Sequence, residues 1–410
     1  VTQVQSESTA AAPGVGLRAV LLTLCVTEIT SWGVLYYAFA VLSPDISADT
    51  GWSAAAVTAA FSTGLVVSAV AGIAVGRWLD RYGPRGVMTT GSVLGAAALC
   101  GIATAPNYWW FLTAWVVAGL AMSGVFYAPA FAALTRWYGH QAVGALTVLT
   151  LVAGLASTVF APLTAVLASQ MDWRNTYLAL AGVLAVVTIP AHALGLRRTW
   201  PHLDHSHPVA SPGTTARSRP FVVLTVAYAM AACASYAVIV NLVPLMHQRG
   251  ISTGAAAVAL GLGGVGQVLG RLGYRTLVRR VSVVPRTVLV MAAVAVTTVL
   301  IGVFTSLAVL VVVAVAAGVA RGVMTLLQAT AVTERWGITH YGHLSGILSA
   351  PVMITTALGP FIGAALAGLL GGYGAMFVVL GVVAAMAALL AGASGVGRQR
   401  SLFSVREART

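Results

Sequence analysis

Lysine is absent from this chain: all 22 of its basic side chains are arginine. A P-loop needs a lysine on the nucleotide phosphates, so ATP hydrolysis through a Walker A motif is excluded. Acids are scarcer still, with nine Asp and Glu in 410 residues. The chain shows no paired carboxylates, nucleophile elbow or metal-ligand cluster, so no enzyme, cofactor or bound metal is expected. Cysteine occurs three times, at Cys25, Cys100 and Cys233, each within an apolar segment and far from the others. That spacing offers neither a disulfide framework nor a zinc site, and small core residues are the expected role. Charged residues make up only 8% of the chain, too few to coat a soluble domain.

What the chain has in excess is long apolar runs. Hydrophobic residues reach 59% and gather into twelve runs, roughly 17–43, 53–76, 86–105, 109–134, 142–168, 175–196, 220–245, 254–277, 287–305, 307–332, 342–369 and 373–394. Runs of this length match the thickness of a bilayer. They predict an all-α membrane protein with twelve transmembrane helices in two six-helix halves. The halves span 17–196 and 220–394, between an N-terminal tail 1–16, a linker 197–219 and a C-terminal tail 395–410. No small-residue cleavage site follows the first run convincingly, so it reads as a retained helix. Eighteen of the 22 arginines fall on one side of the inferred membrane, with Arg174 and Arg249 opposite and Arg271 and Arg321 inside. The net charge of +13 is therefore a positive-inside signal, not a nucleic-acid footprint. It puts the linker and both termini in the cytoplasm and the chain in the cytoplasmic membrane. His202, Asp204, His205 and His207 in the linker could suggest metal ligands, but a solvated loop is the expected reading.

The eighth run, from Gly254, is Gly-rich up to Gly270, then carries Arg271 and ends in Arg275, Arg279 and Arg280. A helix starting at Gly254 holds Arg271 ~25 Å in. Gln267 and Tyr274 lie four residues before it and three after, so the three form one polar stripe. An arginine at that depth either snorkels to the interface or faces protein, water or an anion.

At the second joint the chain reads Gly76-Arg77-Trp78-Leu79-Asp80-Arg81-Tyr82-Gly83-Pro84-Arg85. This resembles the Gly-x-x-x-Asp-Arg-x-Gly-x-Arg signature of the major facilitator superfamily. Gly76, Asp80, Arg81, Gly83 and Arg85 are the matching positions. A carboxylate that accepts from helix ends and arginines, beside a tight Gly-Pro turn, can serve as a conformational latch. In the second half Arg279 stands where the acid would be, so that copy of the latch is degenerate. A narrower set looks like the monocarboxylate-transporter-like branch, with its oxalate/formate relatives. It comprises Phe39, Asp49-Thr50-Gly51-Trp52-Ser53, Gly119, Gly124, Tyr127, Pro129, Trp137-Tyr138 and Asp172-Trp173-Arg174. Gln267, Arg271, Gly359-Pro360 and Gly372-Tyr373 continue it. In that branch the position matching Arg271 pairs with a carboxylate. The superfamily resemblance implies a cavity lined by helices 1, 4, 7 and 10, with 2, 5, 8 and 11 beside them and 3, 6, 9 and 12 facing outward.

Within the runs the acid is Glu28, flanked by Thr27, Thr30, Ser31 and Trp32, and the arginines are Arg271 and Arg321. Glu28 is either a structural counter-ion to one arginine or a proton carrier. Arg321 is either half of that pair or a second positive charge for substrate. Tyr127 and Asn241 could add hydrogen bonds, or could serve packing between helices. The expected activity is secondary transport of a small organic anion, a monocarboxylate, with a proton or by exchange. The two halves would rock about a site at mid-membrane, and the protein would work as a monomer. A proton-driven exporter of drugs or metabolites is the alternative. Against it, the fifth run lacks the Gly-Pro-x-x-Gly-Gly sequence many such exporters carry. A non-transporting membrane sensor is a third reading, with no signalling segment to support it.

Overall fold

The computed structural model describes residues 15–201 and 211–395, all of them in helices and short joints. The expected tails lie almost wholly outside these residues, and so do His202, Asp204, His205 and His207. The chain divides into two compact units, Val1–Asp204 and His205–Thr410.

The first unit runs α1 (Val15–Trp32), a π-helical turn (Gly33–Tyr37), α2 (Ala38–Thr50), α3 (Ala54–Tyr82), α4 (Pro84–Ala103), α5 (Tyr108–Val125), α6 (Tyr127–Tyr138), α7 (Ala142–Ala153), α8 (Ala156–Gln170) and α9 (Trp173–Gly195). The second runs α10 (Pro212–Arg217), α11 (Arg219–Gln248), α12 (Thr253–Arg280), α13 (Val283–Val303), α14 (Leu307–Trp336), α15 (Tyr341–Leu369) and α16 (Tyr373–Ala393). All twelve apolar runs are helical. Among the described residues ten helices are long and apolar enough to cross a membrane, and the bent α15 makes an eleventh. The remaining run forms the 28-residue helix α12.

Three runs are interrupted. The first passes through the π turn, the fourth breaks at Phe126, and the fifth breaks at Gly154 and Leu155. The linker also departs from the expected loop. Ser211 Oγ accepts from the Thr214 amide at 3.2 Å and Pro212 occupies the first turn, which together start α10. Cys100 is exposed rather than in the core, while Cys25 is buried.

Local chemistry starts the helices where the sequence changes. Ser53, Asn107, Asp172 and Ser252 each accept from the backbone N–H three residues on, caps that contribute ~1 kcal/mol each. Two arginines finish the third span of each unit. Arg174 donates to the carbonyls of Ala103 and Ala105 at 2.9 and 3.0 Å, beyond the last turn of α4. Arg249 donates to those of Ile301 (2.8 Å), Gly302 and Phe304 at the end of α13. Both satisfy carbonyls that a helix end leaves open.

Apolar surface gives little drive for association between helices within lipid, so close backbone approach decides packing. In the first unit α4 packs on α5 and α9, and α3 on α5. In the second, α12 lies along α14 and α13 along α16. The α12–α14 seam is glycine against backbone from both sides. A Cβ on Gly318 would run into the Gly263 carbonyl oxygen, and one on Gly322 into that of Gln267. In return, one on Gly266 or Gly270 would meet those of Val315 and Val319.

Candidate functional site

Glu28 sits on α1 and is fully buried. Its Oε2 accepts from the Trp32 indole N–H one turn on, at 3.1 Å, while Oε1 is buried with no hydrogen-bond partner. Trp32 stacks on Phe126 with ring centres 4.1 Å apart, and Tyr127 lies 5.1 Å from it. The π turn that follows Trp32 turns Tyr36 edge-on to the same indole at 5.4 Å. Gly33 opens that turn against Phe160 of α8, where a Cβ has no room. The carboxyl group is thus held between a π turn in the first span and the break at Phe126 in the fourth. Tyr127, an expected substrate contact, stacks on Phe131 at 5.0 Å and forms part of this aromatic wall.

The Gly76–Arg85 segment forms the α3–α4 joint. Gly83 takes φ +80°, and its α-carbon faces Trp200, leaving a Cβ only 3.1 Å from the indole. The backbone carbonyl of Asp80 accepts from Trp200 Nε1 at 3.1 Å and from Arg136 Nη1 at 3.2 Å. The Arg136 guanidinium also lies 4.6 Å over the Trp200 ring. Arg85 donates from Nε to the Ala193 carbonyl at 2.8 Å and ties the joint to α9. Gly76 is buried and Arg81 exposed. Arg136 and Trp200 escaped the sequence reading, although Arg136 lies at the end of α6 beside Trp137 and Trp200 stands in the joint after α9.

Two other segments of the sequence pattern meet directly. Asp49 Oδ2 accepts from Trp173 Nε1 at 2.9 Å and lies 3.8 Å from Arg174 Nε.

In the second unit Arg271 is only 5% exposed. It stands on α12 beside the glycine seam, next to Gly270. Gln267 presents its backbone to Gly322, and Tyr274 is fully buried with its hydroxyl 2.6 Å from Thr330 Oγ1 of α14. The Gln267, Arg271 and Tyr274 stripe is therefore directed at α14 at two of its three members. Arg321, on α14, lines a narrow pocket with Ser235 of α11 and Thr297 and Thr298 of α13. Asn241 is buried, donates to the Ala237 carbonyl at 2.9 Å, and packs its amide on Gly363 of α15.

Beyond the apolar run, α14 continues to Trp336 and carries Glu334. Glu334 forms an ion pair with Arg286, which is 2% exposed at the start of α13 and lies 5.7 Å over the Tyr274 ring. Arg335 donates to Thr287 Oγ1 at 2.8 Å, so α13 and α14 are tied twice. Among the described residues no three His, Cys, Asp or Glu side chains converge as a metal site would require.

The family model described as Major Facilitator Superfamily matches this chain over residues 24–303 and again over 227–400. The chain belongs to the major facilitator superfamily. It is therefore a transporter-family membrane protein. Over 158 residues it is 34% identical to an uncharacterized 38 kDa protein in the 23S RNA operon of Thermoproteus tenax. That match spans 38% of this chain and 41% of the relative, less than half of its length. Among solved structures, the E. coli fucose:proton symporter FucP superposes with a TM-score of 0.68 at 15% identity, covering 93% of this chain and 99% of that one. The human organic anion transporter MFSD10 gives a TM-score of 0.68 at 17% identity, over 92% and 98% of the two chains. At such identities the superfamily fold is what they share.

Proposed function

We propose that this protein is a secondary transporter of a small organic anion, a monocarboxylate of the kind handled by the monocarboxylate-transporter-like branch, working by alternating access with a proton carried at Glu28. The observation behind it is the charge balance of the second unit. Among its described residues the one acid is Glu334, and Arg286 holds it. Arg271, 5% exposed on α12, and Arg321 on α14 add positive charge within the helices of this unit, and this favours an anionic ligand. Arg271 is the contact we assign to the carboxylate, since a planar guanidinium can grip both oxygens at once. Gln267, one turn before it, would add a hydrogen bond, while Asn241 and Tyr127 contribute as packing walls. A wholly buried carboxyl group with one open oxygen can take up and release a proton as its surroundings change, which suits Glu28 to coupling. The Asp80 joint would bias the conformational equilibrium without touching substrate.

A second reading has an observation of its own. Glu28 beside Trp32, Phe126, Tyr127 and Tyr36 is a setting that also suits a cationic aromatic compound, as in a proton-driven exporter. The protein reconstituted in proteoliposomes distinguishes them, using a panel of labelled small acids with and without a pH gradient. Saturable acid uptake that rises with an acid outside is expected. Efflux of a cationic dye with no uptake of any acid would replace the first reading by the second.

A further inference from the structure

The ends of α3, α6 and α9 meet at Trp200, in the joint after α9. Although it stands where the linker begins, Trp200 is only 9% exposed. Its Nε1–H donates to the Asp80 carbonyl at 3.1 Å. In a continuing helix that carbonyl would accept from the residue four on, but here that residue is Pro84, which has no N–H. Trp200 and Arg136, whose Nη1 reaches the same oxygen at 3.2 Å, take the place of the missing donor. The indole also covers the α-carbon of Gly83, which turns at φ +80°. Glycine permits that turn but carries no side chain to hold it, so the ring supplies the hold. Arg136 lies 4.6 Å over the indole, and Trp137 stands edge-on to it at 5.5 Å. Trp137 Nε1 in turn donates to the Thr199 carbonyl at 3.2 Å, which pins the residue before Trp200 to α6.

We propose that Trp200 is a positioning residue of the latch: through the Asp80 carbonyl and the face of Gly83 it sets the α3–α4 joint and so the place of Asp80. This rests on the reading of Asp80 as a conformational latch. The linker to the second unit then leaves the first unit from the latch itself. Trp200 acts on the joint, so its effect falls on turnover and not on substrate affinity. Any ring can pack on Gly83, but only the indole N–H reaches the carbonyl, and a phenyl ring separates the two roles.

The test uses the full-length protein with Trp200→Phe, which keeps a ring on Gly83 and removes the donor. Amide hydrogen exchange of the purified protein in detergent reads the hold without any substrate. The last turn of α3 and Gly83, whose N–H donates to the Leu79 carbonyl at 2.9 Å, should exchange about fivefold faster, the loss of one hydrogen bond. Amides of α5 should exchange as in the wild type. Unchanged exchange at the joint would overturn the proposal. Uptake by proteoliposomes, with whichever acid or dye the panel shows to be carried, reads the consequence. Trp200→Phe should lower kcat about fivefold and leave KM and the unfolding temperature near their wild-type values. In an Asp80→Asn background the same substitution should slow uptake no further, because both changes act through one joint. A full further loss in that background, or a loss of affinity in place of rate, would make Trp200 a general packing residue and refute its role at the latch. If no compound is carried, the transport reading fails, and exchange at the joint still decides whether Trp200 holds it.

Discussion

Arg286 and Glu334 pair across the α13–α14 contact, a guanidinium 2% exposed against a carboxylate 18% exposed. A cation that deeply placed has lost its water and depends on its partner. Glu334→Ala should therefore destabilise the protein by roughly 3 to 5 kcal/mol, read as a lower unfolding temperature in detergent. Exchanging both residues for apolar ones, Arg286→Met with Glu334→Leu, should restore most of the loss. If the single change is silent, the pair is solvated in the working protein.

Arg271 is the anchor of the proposed anion site. Arg271→Gln should abolish binding of the small acid while the protein still inserts. Arg271→Lys keeps the charge and loses the two-pronged grip, so its affinity should fall about tenfold or more. Equilibrium binding of the labelled acid measures both. Wild-type affinity in Arg271→Gln would remove this residue from the site.

A change at Glu28 should separate coupling from transport. Glu28→Gln should lose the dependence of uptake on a pH gradient and keep exchange of anion for anion. In the wild type, affinity should weaken as pH rises, because the proton and the anion favour each other's binding. That slope should flatten in Glu28→Gln. An unaltered slope in the variant places the proton elsewhere.

The glycine seam offers a test by sign. Gly→Ala inside a helix ordinarily gains up to ~1 kcal/mol. Gly261, with nothing within 4 Å of an added Cβ, should follow that rule. Gly318, facing the Gly263 carbonyl, should instead lose ~1 to 3 kcal/mol through overpacking. Equal shifts in unfolding temperature for the two variants would show that α12 and α14 do not approach this closely.

The helical architecture was legible because apolar length alone demands it, and the signature around Asp80 pointed to the superfamily. Other features were not legible, for identifiable reasons. The Arg286–Glu334 pair was missed because its members lie 48 residues apart, each just outside an apolar run. The break at Phe126 did leave a trace, since Pro129 fits best in the first turn of a new helix. The glycines of the eighth run announced close packing. Their partners Gly318 and Gly322 lie about fifty residues on, and nothing local assigns that register.

Arg174 and Arg249 do the same work in the two units. Each closes the carbonyl end of the third span in its own unit. One reaches it from the start of a sixth span and the other from the end of a first. Aligned as repeats of one ancestral unit, the two arginines would fall in different columns. What the halves share here is a physical requirement at a helix end, met twice by unrelated positions. A search for internal duplication by residue identity would miss it, whereas a search for bound carbonyls would find it.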